Sequence, residues 1–187
     1  AYEMNKERNE VLKLLSSSYE GAEKYPEAIA AFNKYVETLP EEERTPDLTF
    51  EIGRLYYAEG TTTDTINYTP EVKKEALLHA DSAFAKLAEL VPDNYLGNFW
   101  RARTNSALDP ETTEGLAKPY YEQVAAMLAE KAKTEPRYNR TIIECYRYLG
   151  YYYLVTEDYE KSKEYWNLIL TIDPENATAT KALEGIK

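Results

Sequence analysis

The sequence of 187 residues has very few of the side chains on which metal sites and nucleophilic catalysis depend. Cys145 is the only cysteine, so a disulfide within the chain is excluded and a thiolate metal cluster is not expected. His79 is the only histidine, which argues against zinc sites and against His-based triads. We find no nucleophile–base pair, no glycine-rich phosphate loop and no metal-ligand spacing. The sequence therefore predicts a protein with no enzymatic activity, no cofactor and no metal.

Positive charge and long apolar runs are also scarce. Lys and Arg total 22 against 33 Asp and Glu, which gives a net charge of −11. Phosphate backbones require clustered cations, so we expect no nucleic-acid partner. The sequence has no run of about 18 apolar residues, so we expect no membrane insertion. It has no signal-peptide pattern and begins at Ala1 rather than Met, as a processed or excised piece would, so cytoplasmic and periplasmic locations both remain open.

Tyrosine, by contrast, is abundant, with 18 residues. A tyrosine combines a large apolar ring with a polar tip, so it serves both helix packing and wet binding surfaces. The hydrophobic content of 43% and the charged content of 29% are typical of a folded chain. The length is sufficient for one domain or for a short array of stacked units.

The most informative pattern is a spacing that recurs along the chain. It is clearest from Glu144 to Pro174, where the W-x2-L-G-x2-Y positions and then the A-x3-F…P positions are Tyr146, Leu149, Gly150, Tyr153, Ser162, Trp166 and Pro174. The corresponding upstream residues are Leu12, Leu15, Ser16, Tyr19, Ala28, Phe32 and Pro40 in a first unit, Thr49, Ile52, Gly53, Tyr56, Ala80, Phe84 and Pro92 in a second, and Asn98, Arg101, Ala102, Asn105, Ala117, Tyr121 and Ala129 in a weaker third.

The residue types of this pattern have a physical reason. A small residue on the first helix faces a small residue on the second, which lets the two backbones approach closely, and the aromatic and leucine positions fill the space between units. Proline ends the second helix because it cannot continue the hydrogen-bond ladder. These facing pairs are Ser16 with Ala28, Gly53 with Ala80, Ala102 with Ala117, and Gly150 with Ser162. The second and third pairs are farther apart in sequence than the other two, which indicates inserted loops.

On these residues the chain resembles the tetratricopeptide repeat (TPR) family. The resemblance implies an all-α fold, a right-handed α-α superhelix of antiparallel helix pairs, and the C-terminal array of a longer bacterial TPR protein. We expect a single array over 1–187, with repeats at about 9–42, 46–94, 95–142 and 143–176 and a capping helix at 177–187. Proline after a capping residue predicts helix starts at Pro46, Pro70 and Pro110.

The resemblance also implies a concave groove lined by first-helix residues outside the packing positions. These residues are Lys13 and Ser17, followed by the predicted peptide-binding set of Phe50, Arg54, Tyr57, Phe99, Arg103, Arg147 and Tyr151. Arginines interleaved with aromatic residues favour a peptide with a carboxylate or acidic side chains. The alternative is that the arginines pair with neighbouring glutamates and the aromatic residues pack between repeats. The family's lysine/asparagine carboxylate clamp is not expected, because Glu51, Leu96 and Trp100 occupy its positions.

The leading functional hypothesis is a non-enzymatic scaffold that binds a protein or peptide segment in this groove. The alternative is a glycan-binding module with exposed Tyr and Trp platforms, and homo-oligomerisation is compatible with the leading hypothesis. The Thr-rich insertion at 60–69 is a solvated connector or a recognition element. We expect His79 at the outer surface and Cys145 as a small buried hydrophobe.

Overall fold

A computed structural model describes the backbone of residues 2–186 and the side chains of residues 9–186. The described part contains nine α-helices, two short 3₁₀ turns and no strand, which confirms the all-α fold class. The helices are α1 (Tyr2–Gly21), α2 (Tyr25–Thr38), α3 (Pro46–Thr61), α4 (Pro70–Leu90), α5 (Leu96–Leu108), α6 (Lys118–Ala132), α7 (Asn139–Val155), α8 (Tyr159–Ile172) and α9 (Ala177–Gly185). The last residue of the predicted capping helix, Lys187, lies outside the described residues.

The chain divides into two compact units, Ala1–Gly97 and Asn98–Lys187. In the first unit α2 packs against α1 and α3, and α3 packs against α4. In the second unit α7 packs against α6 and α8, and α8 packs against α9. Within each unit, helices therefore contact their neighbours in sequence, which is the arrangement of helical repeats.

Proline marks two of the three predicted helix starts. Pro46 and Pro70 are the first residues of α3 and α4, each after a threonine N-cap. The predicted start at Pro110 is wrong, because α6 begins only at Lys118. The carboxylate of Asp109, which is 5% exposed, instead accepts hydrogen bonds from the backbone N–H groups of Glu114 (3.1 Å) and Gly115 (2.8 Å). Asp109 therefore organises a loop rather than a helix start.

The small residues predicted between paired helices are tightly enclosed. A Cβ atom on Gly53 would lie 2.7 Å from the Phe84 ring, and one on Gly150 would lie 2.8 Å from the Trp166 ring. In the last pair the hydroxyl of Ser162 donates to the Gly150 carbonyl at 2.7 Å. The Gly-or-Ser requirement at these positions therefore follows from ring packing and from a hydrogen bond between paired helices.

The weak third repeat packs through its two alanines. Ala102 and Ala117 are both fully buried, although Ala117 stands at the N-cap of α6 rather than inside the helix. Arg101 occupies a position where the motif has an apolar residue. Its guanidinium lies 4.2 Å from the centre of the Tyr120 ring and donates to the Tyr120 hydroxyl at 2.8 Å. An arginine is accommodated there because its planar group stacks on an aromatic face.

The insertion before α4 is anchored to the first helix pair. Tyr68, which is 6% exposed, donates its hydroxyl to the Glu23 carbonyl at 2.6 Å and accepts from the Tyr25 N–H at 3.1 Å. The Tyr68 and Tyr25 rings also contact each other, with centroids 5.6 Å apart. The insertion thus packs against the turn between α1 and α2, so it is more than a solvated connector.

Candidate functional site

Four of the first-helix residues predicted to face a groove lie together in the first unit. They line an open cleft of about 480 Å³ between α1 and α3, and they are Lys13, Ser17, Phe50 and Arg54. Phe50 is partly buried, and its ring centre lies 6.1 Å from that of Phe84 in the core. Tyr57 lies three residues after Arg54 on α3 and is also partly exposed. The cleft therefore combines an aromatic wall with charged and hydroxyl groups.

Arg54 bridges the two helices of this cleft. It donates from Nη1 and Nη2 to the two carboxylate oxygens of Glu20 on α1, and from Nε to Glu51 at 3.0 Å. These hydrogen bonds lower the pKa of the Glu20 carboxyl and raise the pKa of the Arg54 guanidinium. Both groups therefore stay charged at neutral pH, and Arg54 already has carboxylate partners within the chain.

A second arginine–glutamate bridge lies in the second unit. Arg103 on α5 donates to Glu144 on α7 from Nε at 2.7 Å and from Nη2 at 2.6 Å. The Arg103 guanidinium also lies 4.4 Å from the centre of the Phe99 ring. Phe99 is only 6% exposed, so the structure places it in the core beneath Arg103 rather than on an accessible surface. The hydroxyl of Tyr121 donates to the same carboxylate of Glu144 at 3.3 Å.

The other two predicted residues, Arg147 and Tyr151, lie on the exposed side of α7. With Arg140 and Glu144 they follow the i, i+4, i+7, i+11 spacing that places side chains on one helix face. Tyr151 is 42% exposed. Arg140 and Arg147 line a cleft of about 580 Å³ against the turn between α8 and α9. Sequence reasoning missed Arg140, although its distance of seven residues from Arg147 is a usable signal.

The remaining titratable residues of interest are dispersed. The His79 side chain is 54% exposed, with its Nε2 atom 3.9 Å from Glu75, in agreement with the predicted outer position. Cys145 is fully buried, and burial raises the pKa of its thiol, so it has the character of an inert packing residue. Glu59 is a buried carboxylate that no sequence pattern indicates. Residues 9–186 contain no group of three His, Cys, Asp or Glu side chains able to hold a metal ion.

None of the helices described between residues 2 and 186 is long and apolar enough to cross a membrane. No protein-family model matches the sequence, and no curated protein matches it either. Among solved structures it is similar to the C-terminal part of a TPR repeat-containing protein from Cytophaga hutchinsonii. The two are 31% identical with a TM-score of 0.76, and the match covers 95% of this chain and 61% of the other. This chain therefore spans less than two thirds of that structure.

Proposed function

We propose that this chain, a tetratricopeptide repeat protein, is a non-enzymatic scaffold that binds a peptide or protein segment on the exposed surfaces of its first helices. The observation that carries the proposal is the cleft between α1 and α3, into which the first unit brings Lys13, Ser17, Phe50 and Arg54. An aromatic wall beside hydroxyl and charged groups is typical of a surface that takes both the side chains and the backbone of a peptide.

The residues of this cleft have different roles in the proposal. Phe50 in the cleft and Tyr57 further along α3 offer ring surface to apolar side chains of the partner. Lys13 offers hydrogen-bond donors, and the Ser17 hydroxyl, which donates to the Lys13 carbonyl at 3.2 Å, offers an acceptor. Arg54 is engaged by Glu20 and Glu51, so its role is to hold α1 and α3 at the separation that keeps the cleft open. A side chain held in this way costs little entropy on binding, because it is ordered before the partner arrives.

The second unit offers its own surface on α7. Arg147 and Tyr151 are exposed there and present a cation and an aromatic ring to a partner. Arg103 and the buried ring of Phe99 support this surface from α5 through the contact with Glu144. The proposed site therefore consists of contact residues and of residues that position them.

The test is capture of partners by the immobilised protein from a lysate of its source. A Phe50→Ser/Tyr57→Ser variant should lower the captured amount by at least about tenfold, since aromatic anchors dominate interface energetics. The matched control is Leu78→Ser, which changes an apolar side chain that is 51% exposed on the second helix α4. Far-UV circular dichroism should show unchanged helicity in both variants. Capture that survives in the α3 variant, or that falls as far in the α4 control, would reject the proposed surface.

The glycan-binding alternative is favoured by a different observation. Tyr151 and Tyr159 are 42% and 44% exposed, and such rings can stack on sugars. Affinity electrophoresis in polysaccharide gels separates the two functions. Retardation by the gel that is lost in Tyr151→Ser and Tyr159→Ser would support glycan binding over peptide binding.

A further inference from the structure

Two arginines of the second unit differ from every other arginine whose side chain is described. Of the seven arginines in residues 9–186, five donate to a carboxylate, a hydroxyl or a backbone carbonyl, and they are Arg44, Arg54, Arg101, Arg103 and Arg137. Within the same residues no ion pair involves Arg140 or Arg147. Both of these side chains are exposed, and both line the cleft between α7 and the α8–α9 turn. The two arginines of residues 9–186 for which neither a hydrogen bond nor an ion pair is described are therefore gathered in one place.

The carboxylates that line this cleft are engaged elsewhere. Glu144 accepts two hydrogen bonds from Arg103. Asp173 accepts from the side-chain amide of Asn176 at 2.9 Å, and Asn176 in turn caps α9. Because these acids already have donors, they do not hold Arg140 and Arg147 in ion pairs. In a chain with a net charge of −11, this leaves two cations directed at solvent in one cleft.

An amide at the same cleft indicates what kind of ligand would fit. Asn139 lines the cleft, and its buried Oδ1 atom has no hydrogen-bond partner within the described residues. A buried acceptor of this kind normally has a donor. Because Asn139 lines the cleft, a peptide N–H of a bound segment is a candidate donor for this oxygen.

We infer that the cleft between α7 and the α8–α9 turn docks an internal acidic segment of a partner protein, with its side-chain carboxylates bound by Arg140 and Arg147. This inference rests on the proposed function, since it names the partner chemistry for the surface of the second unit. The two arginines are seven residues apart on a helix, so their Cα atoms are about 10 Å apart. In an extended segment the side chains of residues four apart point to the same face and lie about 13 Å apart, a span that two long arginine side chains can match, and this sets the spacing of its two acidic side chains.

The experiment titrates the isotope-labelled full chain with a synthetic peptide and follows the arginine Nε–H and backbone amide signals by NMR. The probe is an acetylated and amidated Gly/Ser dodecapeptide with two aspartates four residues apart, which places both carboxylates on one face of an extended chain. We expect saturable shifts at Arg140, Arg147 and the start of α9 at low ionic strength. The Arg140→Gln/Arg147→Gln variant should weaken binding by about tenfold or more, because charge-assisted hydrogen bonds are lost.

The matched control is Lys133→Gln/Arg137→Gln, which removes the same charge from exposed positions outside the cleft and should change the affinity less than about twofold. Equal weakening in both double variants would overturn the inference, since net charge alone would then explain binding. Three further probes are the Asn-for-Asp peptide, a neutral peptide with a free C-terminal carboxylate, and inorganic phosphate at matched ionic strength. An equal or stronger response to any of these would also overturn it.

A failure here is distinguishable from a failure of the proposed function. If the acidic peptide does not shift the cleft signals while the Phe50→Ser/Tyr57→Ser variant still loses partner capture, the docking inference is wrong and the scaffold proposal stands. If the peptide shifts signals of α1 and α3 only, the acidic segment belongs to the first unit and the assignment to α7 is overturned.

Discussion

The two units each contain an arginine that binds a glutamate of another first helix, but the two bridges differ in their surroundings. In the first unit Arg54 and Glu20 lie at the edge of an open cleft, and the side chain of Glu20 is 27% exposed. In the second unit Arg103 and Glu144 lie beside the Phe99 ring and the Tyr121 hydroxyl, and Glu144 is only 17% exposed.

The same type of contact therefore differs in strength between the two units. A bridge near solvent is screened and contributes little stability. A shielded bridge costs more to break, because loss of one charge leaves the other without compensation in a drier site. We therefore regard Arg103–Glu144 as the stronger contact and Arg54–Glu20 as a weaker one that holds α1 and α3 beside the candidate site.

The largest effect should come from breaking the shielded bridge. We expect Glu144→Gln to lower the free energy of unfolding by about 2 kcal/mol and Glu20→Gln by about 1 kcal/mol or less. Urea unfolding followed by circular dichroism measures the free energy of unfolding of each variant. Hydrogen exchange reports the local stability of α7 and of α3 separately. Equal costs for the two substitutions would contradict the comparison.

A middle-sized effect should come from the loop residues that each unit uses to shape an insertion. We expect Asp109→Ala to cost about 1.5 kcal/mol, because the N–H groups of Glu114 and Gly115 lose a charged acceptor. Tyr68→Phe should cost about 1 kcal/mol, because the Glu23 carbonyl and the Tyr25 N–H lose one hydroxyl.

The same unfolding assay applies to these loop variants, with Thr63→Ala, an exposed position in the first insertion, as the control. If Tyr68→Phe lowered the free energy of unfolding no more than Thr63→Ala does, the Tyr68 hydroxyl would not anchor the insertion.

The smallest effect concerns two carboxylates of the first unit, one with a cation partner and one without. Burial raises the pKa of Glu59. His79 opposes this shift, and the negative charge of Glu75 adds a smaller increase. The ionised form is therefore disfavoured in the folded state at neutral pH. We expect Glu59→Gln to stabilise the protein by less than about 1 kcal/mol at neutral pH.

The pH dependence separates the two groups. The advantage of Glu59→Gln should fade as the pH falls through the raised folded-state pKa and vanish below the unfolded value. The Glu20 pKa is lowered by the hydrogen bonds from Arg54, so its contribution is present above the unfolded pKa and is lost as the pH falls through the folded value. Thermal unfolding of wild type, Glu59→Gln and Glu20→Gln across this acid range measures both. An advantage of Glu59→Gln that grows in acid would show that burial is not the cause.

Much of the helix pairing could be predicted because its rules are local. All eight predicted small residues between paired helices are buried, even in the weak third repeat. Pro40, Pro92 and Pro174 each stand two residues after the last residue of a second helix. The helix start predicted at Pro110 is wrong because Asp109 does not cap a helix. Its carboxylate accepts hydrogen bonds from the N–H groups of Glu114 and Gly115, and a sequence pattern does not locate these donors.

The candidate site was predictable in part. The spacing of first-helix residues placed Lys13, Ser17, Phe50 and Arg54 on a shared surface, and they do line one cleft. The spacing did not indicate which arginines form hydrogen bonds with a carboxylate of another helix. Glu20 is 34 residues from Arg54 and Glu144 is 41 residues from Arg103 in the sequence.

The helix pairs, their ends and the small residues between them follow from the amino-acid sequence alone, because each depends on spacing within one or two helices. Three other features become visible only in the folded chain: glutamates hold Arg54 and Arg103, Phe99 is buried, and Arg140 and Arg147 are exposed to solvent. The physical reason is that an ion pair depends on the distance between side chains of different helices, which is set by how those helices pack.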